Sequence, residues 1–230
     1  MNTVPSQIKD HAYCTRQLMK VWDEFDARLA SVPIIDKLNR GKFRIDDYKL
    51  WLLNHRQQVV EGARWITRAA SSITEQHAGL RATFIKHAAT EHNDYRMLEQ
   101  SYISLGGTLE EMQSTPKNIG SEALSAYMFH HASQPDPFHL LGAMFIIEGL
   151  GQHKAAGWGA MIKEQLGLED KQVAFLTYHG EHDDDHMQEL EDVLASGLLE
   201  QEGMADAIIR TAKIVARLYI LQLEEIGNTG

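Results

Sequence analysis

The segment Phe175-Leu-Thr-Tyr-His-Gly-Glu-His-Asp-Asp-Asp-His-Met-Gln-Glu-Leu190 decides how this chain is read. An α-helix turns about 100° per residue, so the spacing of His179, Asp183 and His186 places all three side chains within about 60° of one another. Phe175, Leu190 and Val193 share that stripe. Two imidazoles and a carboxylate therefore interrupt the face that an amphipathic helix buries. Burying an unpaired ionisable group costs on the order of several kcal/mol, so the stripe requires compensation. A bound metal ion is the first candidate, and an Asp–His hydrogen-bonded network without metal is the second.

Working outward, the pattern is helical nearly throughout. A first helix is expected from about residue 6 to 30, carrying Tyr13, Leu18, Val21, Trp22, Phe25 and Leu29. Pro33 opens a short helix that stops at Asn39-Arg-Gly41. Asp46 and Asp47 suit the positive end of a long helix reaching about Ser72. One continuous helix is predicted over 75–105, ending at Gly106-Gly107, then a loop from Thr108 to Gly120, then a helix over 121–133. Asp136-Pro137 reads as an N-cap with proline at the first helical position of a helix running to about Gln165. Helices over 170–196 and 204–226 complete an all-α bundle of seven to eight helices, expected as a single domain over residues 1–230. No strand alternation, repeat or interdomain linker is visible.

Two further helices break their apolar faces in the same way. Leu140-Leu-Gly-Ala-Met-Phe-Ile-Ile-Glu-Gly-Leu-Gly151 carries a single charge, Glu148, in a segment apolar enough to be buried on most sides. Its Gly149 and Gly151 read as close-packing positions. A buried pairing of Glu148 with Arg64 or another cation is the alternative to a metal role. On the helix around Glu91, the residues Phe84, His87, Asp94, Tyr95, Leu98 and Tyr102 fall within about 60° of that glutamate, while His92 points away. Mixed histidine and carboxylate donors with no thiolate suit iron or manganese, and also zinc. Four such donors suffice for one ion, and six or seven suit a pair held between facing helices. No Glu-x-x-His occurs, and Asp183-x-x-His186 is the nearest variant. Other histidines, His55, His77, His139 and His153 among them, read as ordinary core or boundary residues, and Trp51, Trp65 and Tyr95 as core aromatics rather than a substrate box.

Composition narrows the function classes. Twelve histidines in 230 residues is about twice ordinary usage. The net charge of -10, with 32 acidic against 22 basic residues, opposes nucleic-acid binding. No apolar run reaches the length of a membrane span, and Met1-Asn-Thr-Val-Pro5 does not begin a secretory signal. Cys14, the only cysteine, allows no internal disulfide and has no activating neighbour, so a cytoplasmic protein without thiol catalysis is expected. No phosphate-binding glycine loop or Gly-x-Ser-x-Gly is present.

Four segments resemble the haem-oxygenase-like superfamily, and within it the iron-containing redox enzymes related to pyrroloquinoline-quinone synthase and thiaminase II. They are Ile35–Trp51 with its glycine turn, His87–Gly107, Leu141–Gly149 and Phe175–His186. The resemblance implies a haem-oxygenase-like bundle and, in the di-iron branch, ligands at Glu91, Glu148, His179, Asp183 and His186. The histidine that the branch places near the early glutamate is Asp94 here, with His87 as the alternative. Glu148, His179, Asp183 and His186 are the expected catalytic set. Glu148 would sit centrally, with Glu91 and His186 completing one site and His179 and Asp183 the other. The thiaminase branch needs a later cysteine that this chain lacks, and a haem reading through His11 would leave the buried set unexplained.

The implied function is a non-haem di-iron, or iron/manganese, oxidase or oxygenase acting with O2 on a small organic substrate. The alternatives are a metal-free oxidase of the quinone-synthase type and a non-catalytic ligand-binding protein. The apolar last helix offers Ala212, Val215, Leu218 and Tyr219 either to a homodimer face or to the core.

Overall fold

The computed structural model describes residues 10–227, apart from the side chains of residues 182–185. Among the described residues there is no strand, and the chain forms eleven α-helices. In order these are α1 (His11–Leu29), α2 (Pro33–Asn39), α3 (Ile45–Ser72), α4 (Ala78–Glu91), α5 (Tyr95–Ser104), α6 (Leu109–Ser114), α7 (Ile119–Ala132), α8 (Leu141–Leu150), α9 (Ala156–Leu166), α10 (Ala174–Ala195) and α11 (Met204–Glu224). None is long and apolar enough to cross a membrane.

Local chemistry sets these boundaries. Asp10 caps α1 by accepting from the Tyr13 amide at 2.8 Å. Below it Cys14, Leu18, Val21, Phe25 and Leu29 run down one buried face. Pro33 occupies the first turn of α2, and Gly41 takes the left-handed conformation after it, with φ of 65°. Asp47 accepts from the Arg44 amide at 3.0 Å, closing the start of α3. Gly167, with φ of 64°, ends α9.

The structure departs from the sequence reading in four places, three of which account for the extra helices. The predicted helix over 75–105 is interrupted at His92–Asp94. There the backbone stays right-handed but tightens, with Arg96 N–H to Asn93 at 2.9 Å and Met97 N–H to Asp94 at 3.0 Å. Phe84, His87, Asp94, Leu98 and Tyr102 nevertheless all remain buried. The stretch read as a loop contains α6, whose Thr108 and Glu111 form a reciprocal capping box. Asp136 does not cap its own helix. It adopts φ of 47°, and its carboxylate accepts from the Thr74 amide at 2.7 Å and hydroxyl at 3.0 Å, tying the start of this segment to the end of α3. Finally, the predicted helix to Gln165 contains a π-helical segment, Gly151–Ala155, between α8 and α9.

Helix α8 is the axis of the core. All its residues except Ile147 are buried. It packs along α11 and against α10, while α3 lies against α4, α5 and α7. Two glycines permit the close approaches that bring the site together. A Cβ at Gly142 would stand 2.0 Å from the Ile208 carbonyl oxygen, so α8 and α11 meet backbone to backbone. A Cβ at Gly180 would stand 2.5 Å from that of Ala156, so α10 is drawn onto the end of the π-helical segment next to His179.

Candidate metal centre

Three helices and one turn deliver the donor residues to one place. α4 supplies His87 and Glu91, the tight turn after it Asp94, α8 Glu148, and α10 His179 and His186. Donor atoms of His87, Glu91, Glu148 and His186 all lie within 4.8 Å of one another, and so do those of Glu91, Asp94 and His179. His87 and Asp94 thus fall in different groups. The residue common to both groups is Glu91, whereas the sequence reading gave the central position to Glu148. Asp183 lies on α10 between the two histidines, but its side chain is outside the described residues, as are those of His182, Asp184 and Asp185.

In the first group His186 Nδ1 is 3.0 Å from one Glu148 carboxylate oxygen, and His87 Nε2 is 3.2 Å from the other. The two imidazole rings are 4.5 Å apart. Burial opposes ionisation of Glu148, but the contacts from His186 and His87 outweigh it and hold its pKa down at about 2. Burial likewise opposes protonation of His87, and Glu148 outweighs it, raising the imidazole above its usual value. The pairing with Arg64 considered above does not form: that guanidinium contacts Glu61 at 2.8 Å.

The second group is looser and more acidic. His179 Nε2 lies 3.5 Å from Asp94, and Glu91, shared with the first group, lies 3.6 Å from His186 Nδ1 of that group. Burial, reinforced by the negative charge of Glu148, pushes Glu91 up to about 7. Asp94 is raised too, by burial first, against the opposing pull of His179. Asp94 Oδ2 is buried without a hydrogen-bond partner among the described residues. Three carboxylates crowded with three imidazoles, two of the acids disfavoured as anions and one carboxylate oxygen unsatisfied, are what a divalent cation would stabilise. The residues present thus fit a metal ion.

Two cavities flank this centre. The larger encloses about 790 Å³ of empty space, part of it open to solvent, and reaches Glu91, Glu148 and His179. Its walls include Trp51, Trp65, Trp158 and Phe175. The smaller, about 330 Å³, reaches His87, Glu148 and His186 between the apolar side chains of Phe84, Leu141, Met144, Leu190 and Val193. Glu189, on its lining, pairs with Lys86.

Sequence reasoning missed the second set of functional candidates. Trp51 and Trp65 are buried, as expected of core residues, yet they also line the larger cavity. His55, read as ordinary, stacks on Trp51 at 4.5 Å and meets Phe175 edge-on at 5.2 Å beside that cavity. Burial, with a smaller contribution from His179, depresses its pKa to about 3, so it is neutral. Tyr95 instead lies beneath the Arg56 guanidinium, 5.6 Å from its ring centroid. The one available signal was the spacing of Trp51, His55, Gln58, Gly62 and Trp65 along one face of α3. The remaining groups do not compete. His92 is exposed, and His11, the residue a haem reading would use, meets Glu191 at 2.7 Å with its side chain 43% exposed. Cys14 is buried and pushed up to about 11 by desolvation.

Comparison with known proteins agrees with this architecture. The sequence profile of the iron-containing redox enzyme family, which is haem-oxygenase-like, matches residues 49–220, and the chain belongs to that family. Among solved structures it is similar to a domain of unknown function with a haem-oxygenase-like fold from Shewanella denitrificans, with a TM-score of 0.83, 18% identity, and coverage of 93% of this chain and 91% of that one. A TenA homologue from Pseudomonas syringae gives a TM-score of 0.74 at 15% identity, covering 99% and 98%. A TenA homologue from P. horikoshii gives 0.72 at 16%, covering 94% and 99%. At such identities the likeness is one of fold. No curated protein matches the sequence.

Proposed function

We propose that this protein is a non-haem iron oxidoreductase that uses O2 to oxidise a small organic molecule held in the larger cavity. The observation that carries the reading is the convergence of two donor groups, His87–Glu91–Glu148–His186 and Glu91–Asp94–His179, beside an aromatic cavity that Glu91, Glu148 and His179 line. These residues would hold iron, with Asp183 proposed as a further ligand from its helical position. Membership of the iron-containing redox enzyme family supports iron over manganese or zinc. Bound iron supplies the one-electron chemistry that lets O2 react with an organic molecule.

The protein's own contribution is preparation. Glu148 is kept ionised by its two histidines and so needs no deprotonation before accepting a cation. Glu91 holds a proton near neutral pH and must release it. The aromatic and aliphatic side chains of the cavity place Glu91, Glu148 and His179 among apolar groups, which strengthens charge interactions there. Anaerobic loading with ferrous iron followed by metal analysis tests the reading, with about two equivalents expected for a carboxylate pair site. Less than half an equivalent in the wild-type protein, or O2 consumption that survives complete chelation, would overturn it; the second result would favour the metal-free oxidase.

A further inference from the structure

We infer that the larger cavity takes an uncharged, mostly apolar molecule bearing a ring, and that His55 and Gln58 read its single polar group. The inference rests on the proposed function only for which wall the reacting carbon faces.

Three features of the cavity lead to it. First, α3 lays Trp51, His55, Gln58, Gly62 and Trp65 along the cavity at alternating spacings of four and three, one continuous helical face. That face offers two flat indoles with two polar groups between them. Indole faces favour offset or edge-on contact with another ring. Second, each polar group on this stripe has a buried atom without a hydrogen-bond partner among the described residues. His55 is 7% exposed with its Nδ1 lacking a hydrogen-bond partner, and Gln58 Oε1 is buried and equally unpartnered. Native proteins rarely leave such atoms unsatisfied. Turning either planar group about its last bond exchanges its polar atoms, so together they can accept from a ligand or donate to it. Third, among the described residues no lysine or arginine lines the cavity, and its carboxylates are those of Glu91 and Glu148. A neutral imidazole adds no positive charge. An anionic ligand would lose its hydration without gaining a cationic side chain.

Gly62 adds an independent indication of room. A glycine inside a helix is disfavoured relative to alanine. A Cβ at Gly62 would meet no atom within 4 Å, so packing does not demand the glycine. Its position on the cavity wall leaves space beside the polar pair for a ligand.

Three probes of one size test this: benzyl alcohol, toluene and benzoate. Binding is followed by fluorescence of the wall tryptophans and by calorimetry, in iron-loaded and in chelator-treated protein. In chelator-treated protein benzyl alcohol is expected to bind about tenfold or more tightly than benzoate, and in both forms more tightly than toluene. Gln58→Leu should erase the preference for benzyl alcohol over toluene while toluene still binds. Gly62→Phe should abolish binding of all three in chelator-treated protein, with circular dichroism reporting that the helices persist. Equal or tighter binding of benzoate in chelator-treated protein, no response to either neutral probe, or an unchanged preference in Gln58→Leu would overturn the inference. Because the chelated arm needs neither metal nor activity, a failure of the iron reading leaves this result interpretable.

Discussion

The two halves of the donor cluster solve the same electrostatic problem differently. Around Glu148, one carboxylate is matched by two imidazoles at 3.0 and 3.2 Å, so the group is nearly neutral before any ion arrives. Around Glu91 and Asp94, two buried acids share more distant imidazoles, at 3.6 and 3.5 Å, and both are pushed toward their protonated forms. The first half faces a small apolar cavity and the second a large aromatic one. The Glu148 half is thus already charge-matched by its own histidines, whereas the Glu91 half carries acids that its imidazoles do not fully offset.

The most damaging change to both halves is Glu148→Ala. It leaves His87 and His186 buried without their common partner, and breaking such a pair costs about 3 kcal/mol or more. Ferrous affinity is expected to fall on the order of 100-fold or more, and calorimetric titration with thermal melting checks both effects. Gly180→Val should separate the halves. The added bulk meets Ala156, where even a Cβ would stand 2.5 Å away. Overpacking of this kind costs about 1–3 kcal/mol, seen as a lowered melting temperature. His179 moves with α10, so metal content should fall by one ion's share while Glu148→Ala removes both.

The pH response sharpens the contrast further. Glu91 is raised from 4.5 to about 7 in the folded protein. Between those values the folded state holds a proton that the unfolded chain has released, so the metal-free protein loses stability as pH rises through this window. Iron replaces that proton, so affinity should climb with pH and level off above about 7. Glu91→Gln should flatten the climb. His55 has the opposite sign. Its pKa falls from 6.5 to about 3 on burial, so the unfolded state binds the extra proton and stability is lost as pH falls through that range. His55→Phe should make the acid limb of the stability curve shallower, as followed by urea unfolding at several pH values. The smallest effect belongs to the small cavity. Val193→Trp should fill it without changing aromatic-probe affinity in the large one, since Val193 lines only the former of the two.

Much of this arrangement was legible in the sequence because ionisable residues on apolar stripes are anomalous wherever they occur. His179 and His186 on α10, Glu148 in the most apolar helix and Glu91 on α4 could each be found from periodicity alone. How they pair could not, since pairing depends on helix approach distances set by Gly142 and Gly180. The tight turn at His92–Asp94 was hidden because the chain there stays right-handed and contains no proline. The α6 helix was visible through Thr108-Leu-Glu-Glu111, a capping signal that its short length and neighbouring Pro116 obscured. His55 and Gln58 were hidden for another reason: a polar side chain on a buried helix face reads the same whether it meets protein or an open cavity.

Crystals grown with ferrous iron, with anomalous scattering recorded at the iron edge, test the central claim most directly. The account predicts one peak bounded by His87, Glu148 and His186 and a second beside Glu91, Asp94 and His179, each lost in Glu148→Ala. Absence of iron from both groups, with the same side chains hydrogen-bonded to one another or to water, would contradict it.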